Sequence, residues 1–227
     1  MEILSERLEM LNEADMQKQC EFIEVSLDLM PGEEKKYRNQ VYLVEKKECK
    51  KEIKREDIFE NICVLKNRLI NNAVWNEDRT EVSWYTLELS SFGQTAWDIR
   101  PMNMYLYDGL AGILLVLYAL ELFDSDKQIS YMRKVLEWTF FRYTDACVNI
   151  PDKLQSKNTG AYNGESSIVY TYLVLYQLSG EGAYLDHAKR HTQILDKLID
   201  EDKNCDILSG NAGAAQVLLK MYDMFHD

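Results

Sequence analysis

Three stretches of the chain repeat one pattern: residues 106–120 (LYDGLAGILLVLYAL), 161–175 (AYNGESSIVYTYLVL) and 207–222 (ILSGNAGAAQVLLKMY). In each stretch a turn-forming residue precedes a glycine, a small residue follows three positions later, and an apolar run continues from there. The turn formers are Asp108, Asn163 and Ser209, the glycines are Gly109, Gly164 and Gly210, and the small residues are Gly112, Ser167 and Gly213. The three glycines lie 55 and 46 residues apart, which is close to the period of helical arrays. We therefore expect three equivalent helices, each beginning at a glycine.

These helix starts are named here the first (residues 106–112), second (161–167) and third (206–213) glycine corner. An Asp, Asn or Ser ahead of a helix can accept a hydrogen bond from an otherwise unpaired N–H. Two small residues one turn apart leave one face of the first turn bare. The pattern predicts that another part of the protein approaches each bare face closely.

The helices between and after the corners alternate in character. The runs that follow the first and second corners are apolar on nearly every side, which predicts inner helices packed all round. Residues 131–143 and 184–199 have instead the pattern of amphipathic helices. This alternation predicts an all-α fold, a partial α/α barrel or toroid of helical hairpins whose inner helices start at the corners. A small β element is expected near residues 80–100, since Thr80–Ser91 is rich in β-branched and aromatic residues.

The N-terminal quarter predicts two further helices. Apolar residues recur at helical spacing over residues 16–27, and Pro31 and Gly32 should end that helix. A second helix is expected from Asp57 to about Asn72. The basic cluster between them, residues 46–55, is interleaved with acidic residues, so a solvated helix face is favoured there over a phosphate-binding patch.

Composition narrows the classes of function. The chain has 227 residues, 46% of them hydrophobic, and a formal charge of −12, which disfavours nucleic acid and anionic lipid as partners. Charges interrupt the first ten residues, and the longest apolar run, residues 113–120, is too short to span a membrane, so we expect a cytoplasmic protein. Five scattered cysteines predict neither a disulfide framework nor a compact zinc knuckle.

The first and third corners, Tyr107-Asp108-Gly109-Leu110-Ala111-Gly112-Ile113 and Asp206-Ile207-Leu208-Ser209-Gly210-Asn211-Ala212-Gly213, resemble two signature motifs of the lanthionine synthetase C-like family, the lanthipeptide cyclases. Residues 4–23 resemble the junction that precedes the cyclase domain in class II (LanM-type) synthetases, and Val82-Ser83-Trp84 and Trp97 also fit. The resemblance implies residues 1–56 as a helical lead-in and residues 57–227 as the N-terminal portion of an α/α-barrel cyclase domain. The second corner departs from the family pattern, because Ser167 replaces a glycine.

Family members close a thioether ring by adding a peptide cysteine thiol to a dehydroalanine or dehydrobutyrine. The resemblance implies a precursor peptide as substrate and a zinc ion held by two Cys and one His, but no motif for those ligands occurs in this sequence. The family's histidine also falls beyond the position that matches Asp227. We therefore expect an incomplete domain, inactive alone, that self-associates or pairs with the rest of the domain because its last apolar helix, around Val217–Met221, lacks a neighbour.

Asp206 is the one catalytic residue that the resemblance carries over to this chain. Its place in D-x-x-x-G-x-x-G resembles that of the family's active-site aspartate, which could orient a histidine or stabilise an imidazolium. The alternative interpretation is structural, since an Asp three residues before a helix is a common turn former.

The sequence leaves two other functions open. An α/α-barrel glycosidase would need two carboxylates that face one cavity, and Asp108, Glu165 and Asp206 are the candidates. A non-catalytic helical interaction module is the second alternative.

Smaller groups of residues have a functional and a structural interpretation. His187 and His191 lie four apart on one predicted helix, where a partly buried pair is favoured over a metal site. Cys205 is expected to fill space beside a turn rather than to react. A set of tyrosines is expected to lie in the core rather than to line a peptide cavity: Tyr162, Tyr170, Tyr172 and Tyr176.

Overall fold

A computed structural model describes residues 13–29, 54–89 and 97–225. Its helices are α1 (Glu13–Leu29), α2 (Arg55–Asn71), α3 (Leu110–Phe123), α4 (Lys127–Asn149), α5 (Glu165–Ser179), α6 (Gly182–Leu198) and α7 (Asn211–Phe225), with a 3-10 turn at Pro151–Lys153. Its strands are β1 (Val74–Trp75), β2 (Val82–Ser83), β3 (Tyr85–Leu89) and β4 (Trp97–Pro101). The predicted all-α fold is confirmed, and the β element consists of two small antiparallel pairs, β1 with β2 and β3 with β4.

The described residues form two compact units. The smaller comprises the described residues up to Phe59 together with those between Tyr85 and Pro101. In it β4 packs on α1, and the rings of Phe22 and Tyr85 meet edge to face with centroids 4.8 Å apart. The larger comprises residues 60–84 and the described residues from Met102 onward, and it contains the three glycine corners. The domain boundary at residues 56 and 57 stays a prediction.

The larger unit has an inner and an outer layer of helices. The inner helices α3, α5 and α7 lie side by side, with α5 in contact with both neighbours, while α4 packs on α3 and α6, and α6 packs on α5. Each inner helix begins at a corner and each outer helix returns the chain to the next corner. This is the alternation of inner and outer helices that the sequence predicts for part of an α/α barrel.

The inner helices differ in how far they are enclosed. In α5 nine of fifteen residues are buried, so this helix is packed on nearly every side as predicted. In α3 Val116 is half exposed, so the same prediction is wrong for that helix. In α7 Val217 and Met221 are buried, whereas Leu219 and Tyr222 are exposed, so one apolar side of this helix packs on the core and another is open.

The N-terminal predictions are confirmed where the structure describes the chain. The first helix ends at Leu29, just before the proline, and α2 begins two residues before Asp57. Most of the basic cluster lies outside the described residues. Among the described helices, none is long and apolar enough to cross a membrane.

Candidate functional site

The three glycine corners form one continuous row joined by backbone hydrogen bonds. The amides of Leu106 and Tyr107 donate to the carbonyl of Tyr162, each over 3.0 Å, and this links the first corner to the second. The amides of Tyr162 and Asn163 donate in turn to the carbonyl of Leu208, over 3.2 and 2.8 Å, and this links the second corner to the third. The N-terminal ends of α3, α5 and α7 therefore lie next to one another at one end of the inner layer.

Glycine is required in this row because backbone atoms of neighbouring segments occupy the space that a Cβ atom would need. A Cβ atom on Gly213 would overlap the carbonyl oxygen of Ile207 and the amide nitrogen of Ala161. The close approach that the sequence predicts is therefore an approach of backbone. The second corner is equally tight despite Ser167, since a Cβ on Gly164 would overlap the amide nitrogen of Gly160.

Asp206 stands at the entrance to the third corner as an exposed residue. Its Oδ1 accepts a hydrogen bond of 2.7 Å from the amide of Ser209, so its structural role as a turn former is present. Among the described residues, no donor bonds to its Oδ2. The side chain is thus oriented through one carboxylate oxygen while the other is open.

A second carboxylate, that of Asp202, links the segments that lead into the second and third corners. Asp202 Oδ2 accepts hydrogen bonds from the hydroxyl of Thr159 (2.5 Å) and from its amide (3.2 Å). Asn211, the first residue of α7, donates from Nδ2 to the carbonyls of Ile199 (3.0 Å) and Asp202 (3.2 Å). Burial raises the pKa of Asp202, but the Thr159 hydroxyl and the backbone amides of Asn204 and Thr159 outweigh it and hold that pKa below its usual range. The carboxylate that secures the corner is therefore charged at neutral pH.

Glu165, the first residue of α5, lies at the centre of a buried polar network and not in a cavity. Its side chain is fully buried, and its Oε1 accepts hydrogen bonds from the hydroxyls of Tyr105 (2.7 Å) and Tyr143 (3.1 Å). His191 Nε2 lies 2.9 Å from Glu165 Oε2, and His191 Nδ1 lies 3.0 Å from the Thr144 hydroxyl. The network therefore ties α4, α5 and α6 together.

The two tyrosines of this network remain protonated donors. Burial, and then the charge of Glu165, raises the pKa of Tyr105 and that of Tyr143 above the usual range. With these donors and His191, every buried oxygen of the carboxylate has a partner, as a buried acidic group requires. Two features of the sequence point to this network: a single Glu at the start of an apolar helix, and a His on the same helix face as Ile194 and Leu198.

The carboxylates that a glycosidase would need do not converge. Asp108 is exposed and accepts a hydrogen bond of 2.9 Å from Asn103 Nδ2 in the first corner. Glu165 is in the core and Asp206 is exposed at the third corner. None of the three carboxylates lines either of the two pockets of the larger unit, one between α4 and α6 and one between α5 and α7, so the geometry gives no support to the glycosidase alternative.

The histidines and cysteines of the described ranges provide no metal centre. His187 stacks on Phe141 with ring centroids 3.9 Å apart, and its Nδ1 lies 2.8 Å from the carbonyl of Ala183, while His191 is held in the core. Cys205 is exposed, and so does not fill buried space as expected. Over residues 13–29, 54–89 and 97–225, no group of three His, Cys, Asp or Glu side chains could hold a metal ion. The zinc site that the resemblance implies therefore does not fit the described residues.

Two pockets of about 230 Å³ each open on the larger unit. One lies between α4 and α6 above Cys147, where burial raises the pKa of the thiol to about 11 and keeps it neutral. The other lies between α5 and α7 beside the second corner and is lined by Tyr162 and Tyr170. Tyr172 is fully buried, and Tyr170 and Tyr176 are partly buried and pack on the core, so the prediction of core tyrosines is wrong only for the exposed Tyr162.

Comparison with known proteins agrees with the corner architecture. A family model described as lanthionine synthetase C-like protein matches residues 100–227, the part of the chain that contains all three corners and both layers of helices. A search of curated proteins gave no match. Because the family model covers more than half of the chain, the protein belongs to the lanthionine synthetase C-like family.

Proposed function

We propose that this chain is part of a class II (LanM-type) lanthipeptide synthetase, and that its corner row contributes to the site where thioether rings are closed. The observation that carries the proposal is Asp206, which the third corner presents with one oxygen bonded to Ser209 and the other open. The family membership supports a precursor peptide as substrate.

In the proposed reaction a cysteine thiol of the peptide adds to a dehydroalanine or dehydrobutyrine. The sulfur forms a bond to the β-carbon, the C=C π bond breaks, and the α-carbon takes up a proton, so that the thiol proton is replaced in the product by a C–H. Asp206 Oδ2 can accept a hydrogen bond from an imidazolium and stabilise its charge during proton transfer. Zinc would suit this chemistry because it deprotonates a bound thiol, but the described residues offer no ligand set that would hold it.

The role of Asp206 is tested by replacing it with asparagine in the full-length gene product. Asp206→Asn retains Oδ1 as the acceptor for the Ser209 amide and removes only the charge, so the corner should remain intact. We expect ring formation to slow by about 100-fold, the size of effect typical of a lost proton-transfer contact. Because addition within one peptide leaves its mass unchanged, rings are counted by the loss of thiols that can be alkylated, measured by mass spectrometry.

The matched control is Asp108→Asn, which removes an exposed carboxylate from the first corner. This variant should form rings at nearly the rate of the unmodified protein. Equal rates for the Asp206 and Asp108 variants would leave Asp206 with a turn-forming role alone.

We also propose self-association through the exposed apolar side chains of α7 and α3. Leu219 on α7 and Val116 on α3 are 63% and 48% exposed. The two helices are the outer members of the row of three inner helices, on either side of α5. Exposed apolar patches favour association. We expect sedimentation velocity to give a dimer or larger species that Leu219→Glu converts to monomer; a monomer at all concentrations would contradict the proposal.

A further inference from the structure

The pocket between α5 and α7 collects hydrogen-bond donors that the protein itself does not use. Its lining consists of Ala161, Tyr162, Tyr170, Gln216, Val217 and Lys220. Within the described part of the chain, the hydroxyls of Tyr162 and Tyr170 and the amide of Gln216 make no hydrogen bond, and the Lys220 ammonium makes no ion pair. Lys220 Nζ lies 6.0 Å from the centroid of the Tyr170 ring.

The buried tyrosines differ from those at the pocket, because their hydroxyls have hydrogen-bond partners within the protein. Tyr105 and Tyr143 donate to Glu165, and the hydroxyl of Tyr172 lies 2.8 Å from that of Thr144. Tyrosine hydroxyls in the core of this protein are thus satisfied internally, whereas those at the pocket are open to a ligand.

From these groups we infer that the pocket binds the side-chain carboxylate of an acidic residue in a peptide. The inference rests on the proposed function, because it assumes a peptide substrate. A carboxylate is acceptor-only when ionised, which matches an ammonium, two hydroxyls and an amide. One cation balances one negative charge, whereas a phosphate group carries nearly two. The tyrosine rings and Val217 would enclose the methylene groups of the side chain.

The position of the pocket connects it to the corner row. Tyr162 lines the pocket, and its amide bonds to Leu208, two residues after Asp206. A peptide bound at Lys220 would thus lie against α7, the helix that begins at the third corner.

The test is a titration of the full chain with two capped tripeptides, acetyl-Gly-Glu-Gly-amide and acetyl-Gly-Gln-Gly-amide, followed by NMR chemical shifts. The glutamate peptide should saturate a site with shifts centred on α5 and α7, and the glutamine peptide should bind at least about five-fold more weakly, the effect of losing one charge-assisted contact. Lys220→Gln should remove this preference. Tyr170→Phe, which deletes only a hydroxyl, should weaken binding of the glutamate peptide.

Lys189→Gln is the matched control, since Lys189 Nζ lies over the ring of Phe225, 4.1 Å from its centroid, and outside the pocket. It should leave the preference unchanged. Equal binding of both peptides, or equal effects of the Lys220 and Lys189 variants, would overturn the inference. Because no ring is formed in this assay, a negative result here together with a positive Asp206 result would reject the pocket and keep the proposed function.

Discussion

Glu165→Ala is expected to lower the free energy of unfolding by about 4 kcal/mol, because it removes the shared acceptor of several buried polar groups and leaves a cavity. The substitution leaves the hydroxyls of Tyr105 and Tyr143 and the imidazole of His191 buried without their acceptor. It also leaves a cavity where α4, α5 and α6 meet. Urea denaturation followed by circular dichroism measures the change.

Glu165→Gln is the control for shape. Its Oε1 still accepts from both tyrosines, and its amide can donate to His191 Nε2 if the imidazole proton moves to Nδ1, which faces Thr144. A loss of only about 1 kcal/mol is expected, close to that of an ordinary hydrogen bond. Equal losses for the alanine and glutamine variants would mean that the contacts of Glu165 do not stabilise the core.

Gly213→Ala is expected to destabilise the protein by about 3 kcal/mol, as overpacking of a well-packed region does. The added methyl group would meet the main chain of Ile207 and Ala161, and neither can move without breaking the bonds between the second and third corners. The same urea experiment gives the value, and the fraction of soluble protein reports a failure to fold.

Gly182→Ala separates this effect from the general effect of replacing glycine. An added Cβ at Gly182, the first residue of α6, has no neighbour within 4 Å, so the variant should be neutral or slightly stabilising. If both alanine variants shifted the denaturation midpoint equally, close packing at the third corner would be excluded.

The sequence predicted what depends on local patterns. Glycine spacing located the corners, and hydrophobic period separated the inner helix α5 from the amphipathic outer helices. What it missed depends on partners distant in the chain. Glu165 meets His191 26 positions later, and no local pattern distinguishes that pairing from a carboxylate in a cavity.

The tyrosines and α7 illustrate the same limit. Tyr170 and Tyr172 lie two residues apart in α5, yet Tyr172 is buried against Thr144 and Phe141 of α4, whereas Tyr170 lines the pocket beside α7. Val217 and Met221 are buried since their side of α7 is the one that packs on the core. Such differences require the arrangement of helices, which the order of residues alone does not give.

Amide hydrogen exchange at the second corner tests the central claim, that the corners form one bonded row at the starts of the inner helices. The amides of Tyr162 and Asn163 precede α5, and Tyr162 is 46% exposed, so their protection depends on the carbonyl of Leu208. We expect both to exchange at least about 100-fold more slowly than an unbonded amide, with Lys203 as the loop reference. Exchange of Tyr162 and Asn163 as fast as that of Lys203, in a protein whose α5 amides are protected, would contradict the account.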